Sequence, residues 1–162
     1  MNETTVEAAE VPLEEMGHDE AVAHMRARQN FALAVPAGLA AAVVGAALWA
    51  GFVYVTHYQL GLIAVAVGAL VGYAVRVAGN GIDQKFGILG AACAALGWLL
   101  GTVMVDVAMV AQLADISFLD ALGRLDLSNI ATLVMEASDA MDLLFFAIAV
   151  WEGYKFAFRH RF

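Results

Sequence analysis

Cations are scarce in this sequence: eight Lys and Arg stand against 16 Asp and Glu in 162 residues. A domain that grips nucleic acid gathers Lys and Arg on one face, so that class of partner is excluded. Cysteine is rarer still. Cys93 is alone, which forbids an intramolecular disulfide and leaves the redox compartment open. Charge of either sign is thin, at 15% of residues, where a soluble domain carries about 25%. The spacings that organise known chemistry are missing as well. There is no GxSxG elbow, HExxH, GxxxxGK loop or CxxC, each of which holds a nucleophile, metal or phosphate in a fixed geometry. Cys93 sits inside an apolar run, away from His57 and His160, which lie at opposite edges of the expected spans. The expectation is therefore a chain with no catalytic, cofactor-binding or metal-ligating set.

Apolar residues fill the space that charge vacates. They make up 62% of the chain, and mean hydropathy is +0.77. Both values point to a bilayer as the solvent. The apolar runs are continuous and rich in Ala, Leu and Gly, without the alternation of about ten residues that marks an outer-membrane strand. Residues 29–75 contain no Lys, Arg, Asp or Glu. A hydrocarbon core of ~30 Å takes about 20 helical residues, so this run is a hairpin of two spans. The Thr56-His57-Tyr58-Gln59 stretch is its turn, with Tyr54 and Tyr58 as interfacial aromatics. The expected spans are 31–55, 60–75, 86–110 and 141–158. The last is interrupted by Asp142, Glu152 and Lys155. Gly79-Asn80-Gly81 marks the turn between the second and third.

Cation placement orients them. Lys and Arg collect on the cytoplasmic flanks of spans. With four spans and the N-terminus inside, Arg26, Arg28, Arg76, Lys85, Lys155, Arg159 and Arg161 all face the cytoplasm and Arg124 alone faces out. Three spans would strand the C-terminal cluster on the wrong side. The fold class expected is thus all-α, an integral membrane four-helix bundle. Residues 1–30 form an acidic cytoplasmic tail, 159–162 a cytoplasmic end, and 111–140 an extracytoplasmic amphipathic connector. The later part of the tail, from Asp19, has the composition to run as one helix into the first span, placing Pro36 inside it. The acidic start lacks the basic n-region of a cleavable signal peptide. In the connector, Phe118, Leu119, Leu122 and Leu125 recur at helical spacing. Ser128-Asn129 would cap a second short helix carrying Ile130, Leu133 and Val134, and Ser138-Asp139 would cap the last span.

Two constellations bear on function. Small residues recur every four positions: Ala64, Gly68 and Gly72; Cys93, Gly97 and Gly101; Ala149, Gly153 and Ala157. Such ridges let helix backbones approach, either within one chain or between copies. The packing residues expected are Gly68, Gly72, Gly97, Gly101 and Gly153. Glu152 is the other. It lies about 10 Å along the helix axis from Arg159 at ~1.5 Å per residue. A carboxylate there has to be paired, protonated or facing water. Lys155, on the same side of the helix, and Arg76, at the inner end of the second span, are the partners considered, and a proton- or ion-coupling role is the alternative. Asp106 reads as interfacial. Glu14/His18 and Glu20/His24 are each four apart, and solvated charge is the expected reading of both pairs.

Several stretches resemble a group of small bacterial inner-membrane proteins with four predicted spans. They are Arg28-Gln29-Asn30, Gly45-Ala46-Ala47-Leu48-Trp49-Ala50, the run Gly68-Ala69-Leu70-Val71-Gly72-Tyr73-Ala74-Val75-Arg76, Phe86-Gly87-Ile88-Leu89-Gly90-Ala91, and the closing Ala147-Ile148-Ala149-Val150-Trp151-Glu152-Gly153-Tyr154-Lys155. The resemblance covers roughly residues 26–112 and 141–158. It implies a bacterial inner-membrane setting and carries no activity, cofactor or site residue. Together these observations predict a non-catalytic multi-pass protein, an accessory or scaffold subunit of a membrane complex. Its partners would be the lipid bilayer and either a second copy or another membrane protein. The alternative is a small oligomeric transporter or channel using Glu152.

Overall fold

A computed structural model describes residues 17–58, 60–124, 126, 132 and 140–157. Among them the regular elements are all helical: α1 (His18–Ala27), α2 (Phe31–Thr56), α3 (Gly61–Gly79), α4 (Gln84–Leu113), α5 (Phe118–Gly123) and α6 (Ala140–Phe156). Helix is the conformation that lets an apolar chain satisfy its own N–H and C=O groups locally. Polar side chains within the helices follow the same rule. Thr56 Oγ1 donates to the Phe52 carbonyl at 2.7 Å and Thr102 Oγ1 to that of Trp98 at 3.0 Å.

α2, α3 and α4 hold 26, 19 and 30 residues, and each is long and apolar enough to cross a membrane. At ~1.5 Å per residue they reach about 39, 28 and 45 Å. α6 holds 17, or about 26 Å, and it carries the charges of Asp142, Glu152 and Lys155. The fourth expected span is therefore the shortest and most polar of the set. Phe158, its expected last residue, lies outside the described residues.

Two boundaries differ from the sequence expectation. Helix does not run unbroken from Asp19 into the first span. It stops at Ala27 and restarts at Phe31, because Asn30 caps the new helix: its Oδ1 accepts the Leu33 N–H at 3.1 Å. The Asn30 N–H also donates to the Gly79 carbonyl at 2.9 Å, tying the start of α2 to the end of α3. α3, in turn, continues a full turn beyond 75 and takes Arg76 into its last turn, where a cation is favoured by the helix dipole. Asn80 then ends it in the left-handed region at φ 46°. The flanking glycines answer to Phe86, which is wholly buried. A Cβ on Gly79 would stand 2.5 Å from Phe86 Cε1, and one on Gly81 2.5 Å from Cγ.

Contacts fix the direction of each long helix. Gly38 faces Val75 and Gly45 faces Val67, so α2 and α3 are antiparallel. Gly38 also meets Cys93, Ala42 meets Gly97, and Trp49 lies over Gly101, so α2 and α4 run the same way. α6 runs parallel to α3, with Phe145 against Gly61 and Gly153 against Gly72. It is antiparallel to α4, with Gly153 against Gly90 and Phe146 against Trp98 at 4.8 Å between ring centres. Among the described residues α2 and α6 share no contact, lying on opposite sides of the α3–α4 pair. The result is up-down-up-down topology. One end gathers the start of α2, the end of α3, the start of α4 and the end of α6.

Alanine and leucine are sorted inside out. Ala34, Ala42, Ala46, Ala64, Ala94 and Ala149 are buried, while Leu48, Leu62, Ile88 and Trp151 are each more than 60% exposed. Single exposed leucines are ordinary. A belt of them on every long helix is not.

At the far end α4 closes in a Schellman motif. The Ile116 N–H donates to the Ala111 carbonyl at 3.0 Å and the Asp115 N–H to that of Gln112 at 3.4 Å, with Asp115 left-handed at φ 53°. The chain then doubles back. Ser117 caps α5 by accepting the Asp120 N–H at 3.2 Å. Ala121 and Phe118 pack on Val103, Val107 and Ala111. Leu119 and Leu122 point outward, so the inner face of this short helix is its small one rather than its leucine stripe. Leu125, the second connector helix and the Ser138-Asp139 cap lie outside the described residues.

Candidate functional site

The residues singled out from sequence are distributed over two kinds of place. The small residues meet at helix crossings. A Cβ on Gly68 would collide with the Ala149 carbonyl, and one on Gly72 would stand 2.6 Å from that of Gly153. Gly153 itself faces the Gly90 carbonyl at 2.8 Å from a built Cβ. Three helices therefore touch backbone to backbone at Gly72, Gly90 and Gly153, a spacing at which Cα–H groups reach carbonyl oxygens. On the other side of α4, Gly97 lies 3.4 Å from Ala42 Cα by the same measure, and Gly101 lies under the Trp49 ring. Both ridges face partners within the chain.

The charged candidates gather at the end that holds the start of α2 and the end of α6. Glu152 is half-buried on α6, Lys155 is exposed one turn on, and Arg76 is half-buried in the last turn of α3. Among the described residues no ion pair joins Glu152 to Lys155 or to Arg76. Lys155 Nζ instead lies 5.8 Å from the centre of the Phe156 ring, a distance at which a cation still feels the ring face. Asp106 sits toward the opposite end of α4. Its Oδ2 is buried and accepts no hydrogen bond from the described residues. Asp142, in the first turn of α6, is within electrostatic reach of it.

A node that sequence reasoning did not single out organises the same end as the charged candidates. Asp83, just before α4, receives Arg26 Nε on Oδ1 at 3.1 Å and Gln29 Nε2 on Oδ2 at 3.1 Å. Lys85 Nζ stands 3.6 Å from Oδ2. Partial burial alone would raise this carboxyl's pKa. The hydrogen bonds from Gln29 and Arg26 and the charges of Arg26 and Lys85 outweigh burial and hold it below the usual carboxylate range. Beside the node, Arg28 and Arg76 face one open groove. The readable signal was modest: an acid and several cations assigned to one side of the hairpin must come close once it closes.

Among the described residues no group of three or more His, Cys, Asp or Glu side chains is placed to hold a metal. Comparison with known protein families, with curated proteins and with solved structures found no match.

Proposed function

We propose that this chain is a multi-pass protein of the bacterial inner membrane, crossing four times with both termini in the cytoplasm. It serves there as a non-catalytic accessory or scaffold subunit. The observation that carries the membrane reading is the placing of leucine: alanine and glycine, with some valines, Trp49, Trp98 and Phe86, fill the interior, while no described leucine is buried and most are exposed. In water that arrangement exposes the wrong residues, whereas in lipid it lets backbones pack closely and leaves the large side chains to the tails. The fourth crossing is supported by α6 lying along α3 with its backbone touching at Gly68 and Gly72. Arg26, Arg28, Arg76, Lys85 and Lys155 share one end, which the cation rule assigns to the cytoplasm. The bacterial setting rests on the sequence resemblance.

The scaffold role is favoured by what lies outside and at the crossings. Backbone contact at Gly72, Gly90 and Gly153 closes the space between α3, α4 and α6 at that level. On α6 the Trp151 and Tyr154 rings stack at 6.3 Å, with Trp151 62% exposed, an aromatic anchor of the kind interfaces use. At native expression in mild detergent the protein should migrate with a membrane-protein partner, and Trp151→Ala should release that partner. A lone monomer, unchanged by the substitution, would end the scaffold reading. Ion flux in proteoliposomes that Glu152→Gln abolishes would replace it with the transport alternative.

A further inference from the structure

An open groove of about 620 Å³ lies at the basic end, between α1, the last turns of α3 and the turn that follows. Arg28 comes from the break between α1 and α2, Arg76 from the last turn of α3 and Asn80 from the turn, with Tyr73, Val77 and Ile82 beside them. Among the described residues neither guanidinium is joined to a carboxylate. Asp83, the acid nearest in sequence to Asn80, is engaged by Arg26, Gln29 and Lys85. Two free guanidiniums beside an amide form a donor set suited to the oxygens of a phosphoryl group, which they match in charge and geometry.

A second observation bears on what such a phosphoryl group would be attached to. Leu62, Leu70, Tyr73 and Val77 are 69%, 41%, 57% and 57% exposed, and with Ala66 they form one outward face of α3. That face runs up the helix and ends in the groove. A free anion would have no use for it. We propose that the groove binds the headgroup phosphate of an anionic phospholipid from the cytoplasmic leaflet, with an acyl chain lying along this face and Tyr73 at the polar boundary. Basic pockets between helices on the cytoplasmic side suit such headgroups, and tyrosine concentrates at this depth. The inference rests on the membrane reading given above.

The test uses the full chain, purified and delipidated in neutral detergent, with native mass spectrometry as the readout. Phosphatidylglycerol should be retained over phosphatidylcholine by about tenfold, and Arg28→Gln and Arg76→Gln should each cut that preference roughly fivefold. Lys155→Gln, a cation at the same end but outside the groove, should leave it unchanged. Tyr73→Ala should weaken lipid retention with both arginines intact. Equal retention of the two lipids, or an undiminished preference in the double arginine variant, overturns the proposal. Inorganic phosphate that displaces the lipid at matched concentration would reassign the groove to a free anion, and overturns it too. Carbonate extraction of the source membranes separates the two possible failures. A chain released into the supernatant defeats the membrane reading itself, whereas a chain that stays embedded without headgroup preference defeats this inference alone.

Discussion

Glycine at residues 68 and 153 does work that alanine cannot, because the space a methyl would take is occupied by a neighbouring backbone. The atoms a Cβ would meet are the Ala149 carbonyl at Gly68 and the Gly90 carbonyl and Ala94 Cβ at Gly153. Backbone does not swing aside as a side chain does. Gly68→Ala and Gly153→Ala should each lower stability by about 1–3 kcal/mol, the usual cost of overpacking, measured as unfolding in detergent. Gly51 is the control. It lies in α2 with nothing within 4 Å of a built Cβ, so Gly51→Ala should be neutral or stabilise by up to about 1 kcal/mol. Equal losses at all three positions would remove the close-contact explanation. The four-residue rhythm of small residues was plain in the sequence. Which ridge met which was not, since spacing names a face and not its partner.

Among the elements, α1 carries one arm of a polar clasp, Arg26 to Asp83, beside its buried Val22. Asp83, with its pKa lowered, gains stability on folding that is fully present above its unfolded value of about 3.9 and is lost as pH falls through the lower folded value. The protection of α1 amides relative to their intrinsic exchange rate should therefore fall below about pH 4, and Asp83→Asn should produce the same loosening at neutral pH. The effect will be small, under about 1 kcal/mol, because Arg26 is largely solvated and exposed pairs contribute little. Exchange in α1 that ignores both acid and the substitution would show the clasp to be idle. This element was misread from sequence for a physical reason. Helix formers continue across Arg26 to Gln29, while the Asn30 cap that restarts the helix is held in place by a bond from its N–H to the Gly79 carbonyl, far along the chain. The short helix α5 shows the same limit. Spacing grouped Phe118, Leu119 and Leu122 on one stripe without naming a neighbour, and closeness to Val107 and Ala111 selected Ala121 for the inner side and left the two leucines exposed.

For the molecule as a whole, the lone cysteine makes topology easy to test. Cys93 is 2% exposed and should stay silent toward a membrane-impermeant thiol reagent. Tyr58→Cys and Arg124→Cys, at the far end, should label in intact cells. Ala27→Cys and Gln84→Cys, at the basic end, should label only after permeabilisation. The reverse pattern would invert the orientation, and labelling of Tyr58→Cys and Arg124→Cys from opposite sides would contradict the fold. Uncharged runs made the long helices legible from sequence to within a turn, because length and hydropathy are local properties. The Asp83 node and the Arg28–Arg76 groove were not legible. Each joins side chains separated by about fifty residues, and closeness of that kind is decided only when α2, α3 and α4 assemble.

The pairing of α6 with α3 and α4 also bears on how such a chain is made. Its segment is short and carries three charges, so a translocon would partition it into lipid only reluctantly if it arrived alone. It follows α3 and α4 along the chain, and the residues it packs against there include Gly68, Gly72 and Gly90. On the four-span reading proposed above, synthesis from the N-terminus builds the berth before its occupant emerges, and the segment with the most charges is admitted by its predecessors rather than by the bilayer.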